Sequence, residues 1–282
     1  MSVTRFAPSP TGYLHLGHAF AAMVAWENGD HFLLRIEDLD QGRAREEFVS
    51  AIFEDLNWLG LNWGEPVMRQ SARMAAYRSA LDILTRQGLV YPCFCTRKEI
   101  AEEIARAREA PHLSDLAAPR PGGDDGPIYP GTCRTLSRAS RDEAIAAGNP
   151  YVQRLDAAKA AAMTGPLTFT EYGKPRRADP LRFGDIVLAR RDVPAAYHLA
   201  VVVDDAFQGV TLVTRGEDLL PATHVQRLLQ TLLSMPEPHY AHHRLILDDQ
   251  GRKFSKRDQA VTLRALRAAG VTPEDILARL GL

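Results

Sequence analysis

Between Val3 and Ile36 the chain reads VTRFAPSPTGYLHLGHAFAAMVAWENGDHFLLRI: a short strand, a Pro- and Gly-rich turn, a helix and a second strand. Two strands joined through a helix run parallel and need a crossover, which fixes the hand and confines the chain to an α/β fold. The helix, read over 17–29, is apolar on most faces and so belongs in the interior; Asn28-Gly29 ends it. Two amphipathic patterns follow, AREEFVSAIFEDLNWLGL and SARMAAYRSALDILTRQG. Strand, helix, strand, helix in this order predicts a parallel sheet of the Rossmann type.

The middle of the chain changes texture. LVYPCFC reads as a strand and TRKEIAEEIARAREA as a helix whose capping box is Thr96 with Glu99. PHLSDLAAPRPGGDDGPIYPG is loop-like, and YVQRLDA and LTFTEYG read as strands. Residues 91–185 are therefore expected to form a smaller α+β insertion between two catalytic halves, 1–90 and 186–240. The second half carries the strand GDIVLAR, a helix over AAYHLAVVVDDAF, the strand VTLVTR and the helix THVQRLLQTLL. Residues 241–282 are expected to hold a basic loop and a short helical end, with Thr272 as N-cap and Pro273 at the first helical position.

At 282 residues and 45% hydrophobic content the chain can bury a sizeable core, in one large domain or two. Its longest apolar runs, such as HLAVVV, fall far short of a membrane span, and no signal peptide opens it. The net charge of -1 provides no global basic field, so any nucleic acid must be met by local patches. Three cysteines cannot all pair within one chain. A reduced, cytoplasmic protein, expected to be a monomer, fits these features.

A helix starting near Gly17 points free N–H groups and its positive end at the preceding loop, a place suited to phosphate. His15 and His18, three residues apart, would face one side there, and glycine would let a ligand approach the backbone. The plain alternative is an ordinary capped helix with two incidental histidines. Near the far end, DDQGRKFSKRDQ places Lys253, Lys256 and Arg257 around Ser255. Such a run is usually a solvated basic loop. Paired with the first motif, it reads as a cationic loop closing over a triphosphate.

H-x-G-H near the start with K-x-S-K near the end resembles the class I aminoacyl-tRNA synthetases. RFAPSPTGYLHLGH, LRIED, CFCT, AVVVDD and RGEDLL resemble their glutamyl branch and occur in its order, from Arg5 to Arg257. The resemblance implies a Rossmann catalytic domain interrupted by a connecting insertion, ATP with Mg²⁺, and L-glutamate as the substrate activated. The ATP site would then include Pro8, Thr11, Gly17, His18 and Lys256, with His15, His18, Lys253 and Lys256 as catalytic residues. Arg5, Ser9, Glu37, Tyr197 and Arg215 match positions that bind the amino acid. Charge agrees: two arginines suit two carboxylates, and a glutamate suits an ammonium.

Cys93 and Cys95 form a C-x-C pair, which can chelate one metal; Cys133 and the oxygen of Tyr129 would complete four ligands, with zinc the thiolate-favoured ion. Three free, partly buried thiols are the alternative. The resemblance favours Zn²⁺, because C-x-C followed by Y-x-x-x-C is similar to the zinc site of a short glutamyl-synthetase-like group. About 25 residues follow Arg257, whereas full glutamyl-tRNA synthetases continue into a helical anticodon-binding region. The compact outline resembles the glutamyl-queuosine tRNA(Asp) synthetases, and implies tRNA(Asp) carrying queuosine as the acceptor. RNA phosphates could be met by Arg97, Arg134, Arg176 and Arg190. Three alternatives stay open: a compact synthetase charging a tRNA 3′ end, an adenylate-forming nucleotidyltransferase without RNA, and a non-enzymatic RNA-binding paralogue.

Overall fold

The computed structural model of the chain describes residues 1–109, 128–190, 193, 195–247 and 261–282. The first parallel sheet contains β1 (Val3–Phe6), β2 (His31–Ile36) and β3 (Gly64–Arg69) in the order β1-β2-β3. The chain enters through α1 (Leu16–Glu27) between β1 and β2, and α2 (Glu46–Trp58) lies between β2 and β3. After β3 come α3 (Met74–Arg86), β4 (Val90–Cys93), α4 (Arg97–Glu109), α5 (Arg138–Ala146), β5 (Val152–Leu155) and α6 (Ala157–Thr164). β6 (Thr168–Glu171), β7 (Lys174–Arg177), β8 (Val187–Arg190), α7 (Tyr197–Phe207), β9 (Leu212–Gly216), α8 (Leu220–Leu232) and β10 (His239–His243) follow. Two short helices, α9 (Leu263–Ala268) and α10 (Pro273–Leu280), close the chain.

The second sheet has the order β7-β6-β10-β9, parallel except for the β6–β7 hairpin. Its β9 edge abuts β1. The amide of Val3 donates to Thr211 Oγ1 at 2.8 Å, and the amide of Thr211 donates to the Val3 carbonyl at 3.0 Å. The parallel strands thus lie in the sequence β3-β2-β1-β9-β10, the 3-2-1-4-5 arrangement of a dinucleotide-binding sheet. The order reverses between β1 and β9, the switch point of such a sheet, where ligands bind at the carboxyl ends of the strands.

Two cores cover the faces of this layer. Residues of α1, α2, α9 and α10 pack on one side, with Phe20, Ile52, Leu56, Leu263 and Ile276 buried. Those of α3, α7 and α8 fill the other, around Tyr77, Leu199, Val202, Leu228 and Tyr240. α1 buries Ala19, Phe20, Ala22, Met23 and Ala25, while Trp26 and Glu27 at its end stay exposed. β4, β5 and β8 form a separate antiparallel sheet. The strand read over 184–190 therefore turns away from the parallel layer and pairs with β5. Thr96 and Glu99 cap α4 reciprocally, at 2.7 and 3.2 Å, and Thr272 with Asp275 does the same for α10.

Candidate active site at the switch point

The first turn of α1 explains the H-x-G-H spacing. His15 is the extended N-cap, and its amide donates to Nδ1 of His18 at 3.2 Å. The two imidazoles lie one over the other, ring centres 3.8 Å apart. They share a side, as the spacing predicts. Gly17 has a more local reason than the sequence suggested. A Cβ there would stand 3.2 Å from two atoms of the His15 ring, so the space a side chain would take holds that imidazole. The loop before α1 is tied to neighbouring elements by backbone. The amide of Glu37 donates to the Pro8 carbonyl at 3.0 Å, that of Arg45 to Pro10 at 3.0 Å, and that of Thr11 to Ser9 at 2.9 Å. Pro8, Ser9, Thr11 and Glu37 are thereby held in one rim above β1 and β2.

Lys253 and Lys256 lie outside the described residues. The chain following them returns to this rim: Thr262 bridges His15, the Leu263 amide donates to Leu14 at 2.8 Å, and Arg264 reaches the Tyr13 hydroxyl at 3.0 Å.

Beneath the rim lies a buried charge cluster. Arg5, on β1, donates through Nε and one terminal nitrogen to the two oxygens of Asp205, at 3.0 and 3.3 Å, and through the other to the Thr214 carbonyl at 3.2 Å. Asp205, on α7, also accepts from Arg35 at 2.7 Å. Arg35 is fully buried and reaches on to Gln208 at 3.0 Å and Glu37 at 3.3 Å. Burial lifts the carboxyl of Glu37 above the usual range, against the pull of Arg35 and Arg5. Burial opposes the charge of Asp205 too, but Arg5 and Arg35 outweigh it and hold that carboxyl low. The adjoining Asp204 faces the other way, accepting from Gln70, Arg73 and Tyr77 at 2.9, 2.8 and 2.7 Å.

Arg215 stands at the end of β9, on the same face. It contacts the hydroxyls of Tyr197 at 3.4 Å and Thr223 at 2.7 Å, and its Nε donates to His242 Nε2 at 3.1 Å. His242 must therefore carry its proton on Nδ1, which lies 2.8 Å from Glu171 Oε2. Burial, then the charge of Arg215, depress this imidazole to about 4, so it stays neutral at physiological pH. Each arginine spends three of its five N–H groups on these partners, leaving two for a further acceptor. The structure brings Arg5, Glu37, Tyr197 and Arg215 near one another at the switch point. Sequence reading missed Asp205, Arg35, Thr223, His242 and Glu171. AVVVDD stood out, but nothing in it told that one aspartate would clamp Arg5.

The three cysteines also converge. Cys93, Cys95 and Cys133 place their sulfurs within 4.8 Å of one another. Cys95 Sγ is 3.4 Å from both Cys133 Sγ and the Tyr129 oxygen. Four donors of this kind at this spacing fit a tetrahedral ion, since bonds of about 2.3 Å put sulfurs about 3.8 Å apart. The surrounding core is small: Tyr91, Cys93, Ile100, Tyr129 and Cys133.

A parallel sheet with a histidine-flanked helix N-terminus at its switch point is the framework of nucleotide-binding enzymes. The family model described as "tRNA synthetases class I (E and Q), catalytic domain" matches residues 1–282, and the chain belongs to that family. It is 46% identical to the glutamyl-Q tRNA(Asp) synthetase of Rhodobacter capsulatus, over 99% of this chain and 100% of that protein. It is 39% identical to the glutamate–tRNA ligase of Aquifex aeolicus, over 96% of this chain but 54% of the ligase. Among solved structures, a glutamate tRNA ligase from Elizabethkingia meningosepticum, in complex with its amino acid, superposes with TM-score 0.70. It is 28% identical and covers 91% of this chain and 52% of that one. Among the described residues no helix is long and apolar enough to cross a membrane.

Proposed function

We propose that the chain activates L-glutamate with ATP and transfers the glutamyl group to queuosine in the anticodon loop of tRNA(Asp). The observation that carries this reading is the pair of buried arginines, each with two N–H groups left, in a chain that matches a glutamyl-Q tRNA(Asp) synthetase over that protein's whole length. Arg5 and Arg215 take the two carboxylates, Glu37 the ammonium, and Ser9 and Tyr197 supply hydroxyls. Arg35, 3.3 Å from Glu37, opposes the burial that raises its carboxyl.

In the first step a carboxylate oxygen of glutamate attacks the α-phosphorus of ATP and pyrophosphate leaves. The nucleophile is already ionised, so the site needs position and positive charge rather than a base. His15, His18 and the first amides of α1 supply these at the rim, with Pro8, Thr11 and Gly17 shaping the nucleotide cradle. Lys253 and Lys256 add positive charge to the triphosphate, and Mg²⁺ accompanying the ATP would offset charge on the phosphates. A hydroxyl of the acceptor then attacks the carbonyl carbon and AMP leaves.

Residues 91–185 serve as an inserted unit that zinc pins through Cys93, Cys95, Cys133 and Tyr129, a structural role for a core of few side chains. The setting is cytoplasmic and the active species a monomer. The test uses labelled glutamate, ATP and two tRNA(Asp) preparations, with queuosine or with guanosine at that position. Label on the queuosine tRNA alone, lost after periodate destroys the cis-diol, is expected. Label on neither, with tRNA(Glu) charged in parallel, overturns the reading in favour of 3′-end charging.

A further inference from the structure

β6 and β7 are joined by two residues, Tyr172 and Gly173, with φ of 47° and 72°. Two positive φ angles in a two-residue hairpin make a type I′ turn, a place for Asn, Asp or Gly. Tyrosine there is strained, and such strain is commonly retained for function. Among the described residues only Ser234 shares a positive φ without being glycine. The ring of Tyr172 is nevertheless fixed. Its amide donates to the Tyr240 carbonyl at 3.0 Å, and its hydroxyl donates to the carbonyl of His242, the residue that holds Arg215. The side chain is 62% exposed, so a rigid aromatic face stands in solvent beside the pocket's supporting strand. β7 then runs outward as Lys-Pro-Arg-Arg, all four residues exposed, at the edge of the sheet. Glu171 and Glu217 are the carboxylates near the tyrosine.

We infer that this hairpin is a platform for single-stranded RNA, on which Tyr172 stacks an unpaired base next to the acceptor nucleoside while Lys174 and Arg176, on one face of β7, meet the backbone. An exposed, immobilised ring with cations leading away from it is the arrangement that binds splayed-out bases without reading their sequence. The inference rests on the proposed function, because an anticodon loop is what offers the unpaired bases.

The experiment measures binding of a queuosine-containing tRNA(Asp) anticodon stem–loop to the wild type, Tyr172→Phe and Tyr172→Asn, with melting temperatures and glutamate-dependent ATP–pyrophosphate exchange in parallel. Asn suits the turn, so Tyr172→Asn should melt no lower than wild type and exchange normally, yet bind the stem–loop roughly ten- to a hundredfold more weakly, the range for losing one stacked base. Tyr172→Phe should bind within about threefold of wild type. Wild-type affinity in Tyr172→Asn, or equal losses in Phe and Asn, would overturn the stacking role. If Tyr172→Asn glutamylates queuosine tRNA(Asp) as well as wild type does, the platform falls and the function stands. If the wild type glutamylates no queuosine-bearing RNA, it is the function that fails, and the platform with it.

Discussion

Replacing Asp205 by Asn tests whether the buried charge cluster is a working unit. Asp205 is 6% exposed and takes three hydrogen bonds from two guanidinium groups, at 3.0, 3.3 and 2.7 Å. Asn offers one oxygen in place of two and turns an amide N–H toward a nitrogen that also donates. It also leaves Arg5 and Arg35, both buried, with only Glu37 and the more distant Asp204 to balance them. Arginine cannot discharge to relieve this, so the cost follows that of breaking a buried ion pair, about 3–5 kcal/mol. At roughly 2–4 °C per kcal/mol, the melting temperature should fall by on the order of 10 °C.

The control is Glu46→Gln, which removes the exposed partner of Arg69, paired at 2.6 Å, and should cost under about 1 kcal/mol. Scanning calorimetry at pH 7.5 compares the two. pH supplies the second signature. Arg5 and Arg35 hold the carboxyl of Asp205 below its ordinary 3.8, so its contribution is full above that value and drains away as pH falls through the lower, folded one. The gap between wild type and Asp205→Asn should therefore persist from pH 8 to about pH 4 and close only below it. Equal losses in the two variants, or a gap that closes by pH 6, would refute this account of the cluster.

Four further outcomes are expected. Gly17→Ala sets a methyl 3.2 Å from the His15 ring, so the imidazole must move; ATP–pyrophosphate exchange should drop about tenfold or more with the fold intact by circular dichroism. Glu171→Met removes the acceptor that fixes the tautomer of His242, and should raise KM for glutamate several-fold while KM for ATP holds, as steady-state kinetics will show. Cys93→Ser should lose zinc by elemental analysis and melt several degrees lower, whereas protein purified without chelators and found free of zinc would defeat the metal assignment. Lys256→Ala should abolish exchange without lowering the melting temperature; near-normal exchange would show that the basic loop does not act on the triphosphate.

What could be read from the sequence, and what could not, divides along physical lines. The H-x-G-H turn, the buried α1 and the capped starts of α4 and α10 were legible because each rests on local chemistry: a helix terminus, an apolar period, a reciprocal side-chain cap. β3 was not, since Gly-Glu-Pro within GEPVMR reads as a breaker, and only pairing with β2 makes it a strand. β10 was missed for a similar reason. HYAHH shows little apolar alternation, yet it lies between β9 and β6, where His242 is buried because Glu171 satisfies one ring nitrogen and Arg215 the other.

The same distinction runs through the site. The resemblance singled out Arg5, Glu37 and Arg215, but the groups that hold them come from β2, α7, β6 and β10. Those partners lie up to 200 positions away. A carboxylate that clamps an arginine across such a separation leaves no spacing to read. The closure of the sheet at β1 and β9 is what brings them together. In the proposed reading, specificity for a dicarboxylate therefore belongs to the sheet order as much as to the motifs: a guanidinium free to swing would also donate to an amide carbonyl, whereas one held by three partners has its orientation fixed before substrate arrives.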